Sequence, residues 1–555
     1  MADRYWVGGS ASWDATAGTK WALTSGGAGG EAVPTASDDV YIDSGSGAVT
    51  VTVAASSVCR NLSFTSGAGA FAGTFAGTSA LAISGSFTLV AGMTYSYTGA
   101  LTFNSTTSQT ITSAAKTLNN NTTFNGSGGS WALQDNVTFG SGRAITLTTG
   151  TIGLNNKILS VPTMSASGTG VRGIAFGTSG KCVITTPSGN AWLFTDATNA
   201  SFTGTTRVEF TPSSAPSNRN VFNSSTAGFT ETNTVSMYFT TGSDTINFRG
   251  RARIMDFTGF TGTFSATVQG TVVYGDVTLN SGMTIAASTF GFSMFGASGT
   301  QTFRSNGVTV DSPFSVETSG ATATLIDNLT LGSTRRFSLT AGTVNLAGNI
   351  LSAGQFFTTG TSTRALDLGA NGKITVVGSG SSAWSMAGSN ITFLGTGTVD
   401  MTSASAKTFV GNSFTYPYTL NQGGTGALTI SGSNAFNNVT ATITATSAAS
   451  ILFTAGTTQT VTQFTASGTS GNLLTLNSTT AGATYTLSDS AGGNSVSYCS
   501  IKDSIATGGA VWLAYTTNGN VDDGNNTGWD FSAPDVVSYS TPIQLRSFTE
   551  RRGFN

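Results

Sequence analysis

The 555-residue chain contains no histidine. That absence excludes the Ser-His-Asp and Cys-His nucleophilic arrangements and every histidine-ligated metal site. Charge is almost as scarce, with 23 Lys and Arg and 25 Asp and Glu making 9% of the residues, against roughly 25% in ordinary globular proteins. The basic residues are scattered and the net charge is −2, so no basic stripe is present to neutralise phosphates and no nucleic-acid partner is expected. Only three cysteines occur, Cys59, Cys182 and Cys499. They are far apart with no CxxC spacing, which gives neither a disulfide framework nor a zinc site. No GxxxxGK[ST] phosphate loop occurs, and we expect no cofactor. No apolar run of about 18 residues is long enough to span a bilayer, and "MADRYWVGGSASWD" lacks the basic and apolar regions of a signal peptide. These features lead to an expectation of assembly in a reducing cytosol.

Paired carboxylates are the catalytic device this composition leaves open, as in glycoside hydrolysis. Asp135 recurs as Asp327 and Glu209 as Asp400, so these acids are read as turn or cap residues of a repeated structure. Asp38-Asp39 and Asp522-Asp523 lie near the ends. The stretch "NGNVDDGNN" is rich in oxygen ligands, but its glycine is misplaced for an EF-hand. It is read as a polar turn, with an irregular calcium turn as the rival. Asp196, Glu231, Asp244 and Asp276 could meet only across neighbouring strands. "GGAGGEAVP" resembles a calcium-roll repeat once and imperfectly, and is read as a turn.

What is abundant is glycine, 72 residues, and phenylalanine, 35, in a chain that is 38% hydrophobic. That is too much apolar surface for a disordered linker. Residues 135–160, "DNVTFGSGRAITLTTGTIGLNNKILS", and 327–352, "DNLTLGSTRRFSLTAGTVNLAGNILS", share 14 of 26 positions without a gap at an offset of 192. Apolar positions survive while polar ones drift. The register extends through Gln109-Thr110 with Gln301-Thr302, Phe103 with Phe295, Lys181 with Lys373 and Trp192 with Trp384, and slips by one at Val208 and Val399; upstream, Phe64 matches Phe257. Phe453 precedes Gln459-Thr460 by the same spacing, a partial third copy.

Within the repeat, short runs apolar at every second residue alternate with Gly, Asn and Ser turns, the pattern of strands. The fold class read from this is all-β: an elongated parallel β-helix, or β-solenoid, with an internal duplication of about 192 residues, about nine turns at three strands per turn. Tandem β-sandwiches are the alternative. The organisation expected is a Trp-rich N-terminal module over 1–58, solenoid copies over 59–250 and 251–408, a partial third copy and cap over 409–532, and a non-repetitive arm over 533–555. Open solenoid ends need covering. Trp6, Trp13, Trp21, Trp512 and Trp529 are therefore read as cap aromatics, with sugar-stacking platforms as the rival. Arg546, Phe548, Arg551, Arg552 and Phe554 in the arm are read as an assembly contact, since Arg and aromatic anchors dominate interfaces.

The opening "RYWVGGSASWD", the Phe-x5-Gln-Thr repeats and the closing "GGAVWLAY…GNNTGWDFS" resemble bacteriophage tail-fibre-like and prokaryotic adhesin-like surface proteins. The resemblance covers most of residues 1–532. It implies a non-enzymatic structural protein of the virion surface that mediates host attachment, assembled in the host cytoplasm and released by lysis. It also implies a homo-oligomer, a trimer first. Its partners would be other virion structural proteins and a host surface glycan or protein, without membrane insertion. A tailspike-type polysaccharide depolymerase and a cell-surface adhesin are the other readings that the resemblance leaves open.

Overall fold

The computed structural model describes residues 2–532, apart from 167, 212–216, 224–227, 267–268 and 443–448. The described residues are nearly all strand and turn, wound as a β-solenoid of about 20 turns. Each turn contributes three strands to three faces. Face I begins at Ser57–Cys59 and continues through Leu81–Ile83 and Leu101–Phe103. Face II runs from Asp39–Tyr41 through Leu62–Ser63 and Phe87–Thr88. Face III starts with Thr50–Val53 and Thr74–Gly77. Named strands pair in parallel between turns throughout, with antiparallel pairs only at Tyr5–Trp6 against Trp21–Ala22 and within Thr65–Ala70. Tandem sandwiches with hairpin-connected strands are thereby set aside.

The ladder starts before residue 59, because Asp3–Tyr5 stacks in parallel on Asp39–Tyr41 and Ala11–Trp13 on Val51–Val53. The N-terminal segment is a first, incomplete turn of the same stack. Strands are not uniformly short, however. Thr122–Leu133, Ala144–Gly153, Phe314–Leu325 and Arg336–Asn345 each bend from one face to the next without a break. Glycine permits the bend: Gly150 has φ +89, and a Cβ there would lie 2.6 Å from the Gly126 carbonyl oxygen. Its counterpart Gly342 has φ +76. Both conformations are costly for residues with a side chain.

The duplication does not contain a whole number of turns. Face I can be followed from Thr122 to Ile145, Met164, Trp192, Val221 and Phe248, then from Ile246 of that strand to Phe264 and Ile285, with Val310 next. That is eight turns, and Phe314, the counterpart of Thr122, then opens the strand on face II. The repeat thus spans eight turns and a third, where about nine were expected. Trp192 and Trp384 hold the same place along the chain but different faces, since Trp192 pairs with Met164 on face I and Trp384 with Phe356 on face II.

Alternate residues point inward and form one continuous core. In the second copy it contains a stacked aromatic spine of Phe292, Phe314, Phe337, Phe356, Trp384 and Phe409. Successive ring centroids there are 4.4–6.0 Å apart and planes lie within 15°. At the corresponding positions the first copy has Leu101, Thr122, Ile145, Met164 and Trp192. Phe103 and Phe295 are not counterparts: Phe103 is buried against Phe124, whereas Met294 takes that place and Phe295 is 37% exposed. Outward positions form hydroxyl and amide ladders, such as Asn190–Asn220–Asn247, bonded at 2.9 and 3.2 Å. In-register stacking at roughly 4.8 Å would set like charges one above another, a physical reason for so little charge.

The three cysteines are free and buried in the core. Burial pushes Cys182 and Cys499 up to about 12, so they act as apolar filling.

Candidate attachment surfaces

At the N-terminal end, Trp6, Trp13 and Trp21 are fully buried. Trp21 meets both other rings edge-on, at 5.0 and 5.2 Å. With no exposed face, these rings close the first turn and offer nothing to a sugar. At the other end Trp512 and Trp529 are also buried and meet edge-on at 5.2 Å. Their indole N–H groups donate to the Thr507 carbonyl and the Ser504 hydroxyl. The oxygen-rich turn is used up in local bonds. Asn520 Oδ1 accepts from the Cys499 amide, Asn526 Oδ1 from the Ser504 amide, and Asp522 from the Gly524 amide and Asn526. No cluster of three metal-binding side chains occurs among the described residues. Arg546, Phe548, Arg551, Arg552 and Phe554 lie outside the described residues.

The recurring acids have two different roles. Asp135 accepts from the amides of Ser113 and Ala114, and Asp327 from those of Ser305 and Asn306, one turn earlier in each copy. These are turn residues. Glu209 and Asp400 instead sit on strands and pair across turns, with Lys181 at 2.8 Å and Lys373 at 3.2 Å respectively, because strand register sets each lysine diagonal to its acid, two residues along the neighbouring strand. Burial raises Glu209, but hydrogen bonds from Lys181 and Arg207 outweigh it and hold the carboxyl below its usual range. The four unmatched acids are engaged separately. Asp244 grips buried Arg219, Asp276 accepts from Thr302, Glu231 from the Ala297 amide, and Asp196 from the Thr198 amide.

A further pair of counterparts differs in chemistry. Gly189 pairs with Arg219 in the first copy and Gly380 with Lys407 in the second. Arg219 is fully buried against Asp244, whereas Lys407, 1% exposed, donates only to the carbonyls of Ser403 and Gly426 at 3.0 and 2.7 Å. Burial, opposed by Asp400, lowers Lys407 to about 8.

The ladder also breaks at one recurring place. In the first copy Ala200–Thr203 on face II meets no strand on the following turn among the described residues; Phe229 and a short 3-10 helix, Glu231–Asn233, lie against it there. The depression that follows is spanned by side chains. The Tyr274 hydroxyl donates to the Phe229 carbonyl at 2.7 Å, Arg251 donates to Tyr274, Phe295 packs edge-on to Tyr274, and Glu231 reaches the Ala297 amide. In the second copy the same break falls between Ile391–Leu394 and the turn after it, since pairing there begins only at Thr398 with Thr419. Pro417, lacking an N–H, sits in the unpaired segment. Below it runs an open trench of about 560 Å³. Tyr416, 1% exposed, and Phe436, 5% exposed, stack at 5.4 Å beneath its floor, which half-buried Pro417 and Ala435 cover. Exposed Thr415, Asn437, Thr460 and Thr462 line its walls.

These trench residues were not singled out from the sequence. They come from turns about 20–30 residues apart, and Pro417 is the one local signal. Comparisons with protein-family models, curated proteins and solved structures find no match for this chain.

Proposed function

We propose that this chain is the rigid shaft of a surface appendage, a virion tail fibre that extends from a particle and attaches to a host surface without enzymatic activity. The supporting observation is the continuous solenoid. About 20 turns at roughly 4.8 Å each make a rod of about 95 Å, its core filled and its outer faces bearing polar ladders such as Asn190–Asn220–Asn247. Such a body carries load and spacing. The acids described above are each occupied in structural bonds, which favours binding over hydrolysis. The shaft assembles as a homo-oligomer, a trimer first, and the segment after residue 532 supplies the contact to its particle or its own oligomer. No cofactor takes part in this reading.

Electron microscopy of the purified protein and of particles labelled with antibody against it tests the proposal. Rods of about 95 Å and label on a projecting appendage are expected. Label confined to cell surfaces, or absent from particles, overturns the virion reading. Deleting residues 533–555 should leave a folded β-rich protein that no longer joins its assembly. Normal assembly of the truncated protein would remove the arm from the account. Incubation with capsular or lipopolysaccharide material should release no oligosaccharide, and a clean release would replace the non-enzymatic reading.

A further inference from the structure

The two ladder breaks are the same feature of the repeat, treated in opposite ways. In the first copy the depression holds the protein's own side chains: Arg251 donates to Tyr274, Tyr274 donates to the Phe229 carbonyl, and Glu231 separately accepts from the Ala297 amide. In the second copy the buried Tyr418 hydroxyl donates to the Leu366 and Leu394 carbonyls beneath the break, but an open trench remains above it, running from Thr396 to the loop at Ser490–Ala491. That span is four turn-to-turn steps, roughly 19 Å at the sheet spacing.

Its lining specifies a chemistry. The exposed wall groups are hydroxyls and one carboxamide, each able both to donate and to accept. The single ionisable acid in the lining, Asp489, is 3% exposed and already accepts from the Ala491 amide and from Asn494 at 3.2 and 3.0 Å. No exposed charge is therefore offered to a sulfated, phosphorylated or carboxylated ligand. The accessible apolar groups are half-buried Pro417 and Ala435 and exposed Ala491; Tyr416 and Phe436 lie buried beneath them, and the Tyr416 hydroxyl is turned away to the Gly411 carbonyl at 2.6 Å. Small apolar groups between neutral hydrogen-bonding walls match a chain of pyranose rings, which presents C–H faces and equatorial hydroxyls. Its volume falls within the range of ordinary ligand sites.

We infer that this trench binds a neutral oligosaccharide laid parallel to the solenoid axis. The inference deepens the attachment reading and rests on it only for the source of the saccharide. An uncharged extended peptide is the competitor. It would add to a free strand edge, but Thr415–Tyr416 is already paired with Ala435–Phe436 on one side and Pro417 removes a donor on the other.

The test titrates the full chain by calorimetry with neutral glucan, galactan, mannan and N-acetylated oligosaccharides long enough to span roughly 19 Å. Sulfated and carboxylated oligosaccharides and an uncharged peptide serve as comparisons. At least one neutral series should bind, while the charged sugars and the peptide should not. Asn437→Ala and Thr462→Arg should each weaken that binding by at least about tenfold, and Ser333→Arg, on a different surface, should leave it unchanged. All three positions are exposed, so far-UV circular dichroism and Tm should stay at wild-type values. Binding by no neutral series, a preference for charged sugars or peptide, or wild-type affinity in both trench variants overturns the inference. Saccharide binding without label on particles would instead remove the virion reading and leave the trench standing.

Discussion

The two long copies follow one path but solve two of its positions differently. The spine position is aliphatic in the first copy, with Ile145 and Met164 between Thr122 and Trp192, and aromatic in the second, with Phe314, Phe337 and Phe356 leading to Trp384. The buried cation is Arg219 gripped by Asp244 in the first copy and Lys407 held only by carbonyls in the second. The solenoid thus constrains where a side chain points and how much room it has, and much less what it is. Interior volume can be filled by ring stacking or branched chains, and a buried charge can be met by a carboxylate or by backbone oxygens.

The largest effect should come from the spine. Phe337→Ala removes the middle ring of the stack and should cost about 4 kcal/mol, whereas Ile145→Ala at the matching place should cost about 3, the difference reflecting ring-on-ring contact. Chemical denaturation with hydrogen exchange on the affected turns measures both. Equal losses would show that stacking adds nothing beyond volume.

The buried cations sharpen the contrast. Asp244→Asn leaves Arg219 buried without its counter-charge and should destabilise by about 3 kcal/mol or more. Unchanged stability would mean that water reaches the site.

Lys407→Met tests the other cation through pH. Lysine is ordinarily near 10.5, and Lys407 in the fold is near 8. Below pH 8 both states carry the proton and the folded protein bears the whole cost of burying it, about 3 kcal/mol at most. Between pH 8 and 10.5 the folded state sheds the proton while the unfolded state keeps it, so wild-type stability gains relative to the variant. The difference, Lys407→Met minus wild type, should therefore fall as pH rises through that window. A difference that does not change with pH would show that Lys407 is solvated like a surface lysine.

The smallest effect concerns Thr122, whose buried hydroxyl has no hydrogen-bond partner and whose counterpart is Phe314. Thr122→Val should stabilise by about 1 kcal/mol. A loss of that size in Tm measurements would reveal an unseen partner for the hydroxyl.

Much of the fold could be read from the chain. The two-residue alternation in "VTF" and "AITLT", the turns at "GSG" and "NN", and the gapless return at Asp327 fix strands, turns and a repeat, because each depends only on local backbone preference and on which residues face a core. The turn role of Asp135 and Asp327 was legible for the same reason, since an acid next to Asn before a strand favours bonding to backbone amides. The strand role of Glu209 and Asp400 was not, because their lysine partners are 27 or 28 residues away. The one-residue slip that turns Phe295 outward also escaped notice, since it depends on where one turn ends.

The sequence by itself determined an all-β, repeated, weakly charged chain with tryptophans gathered near its ends. Tertiary structure alone decided that the repeat spans eight turns and a third, so that Trp192 and Trp384 line different faces. It alone decided that one ladder break is closed by Arg251, Tyr274 and Glu231 while its counterpart stays open beside Asn437 and Thr462. The number of residues per turn is a sum over corners and loops that no local pattern carries. A trench is made by side chains that become neighbours only after the chain has wound past them several times.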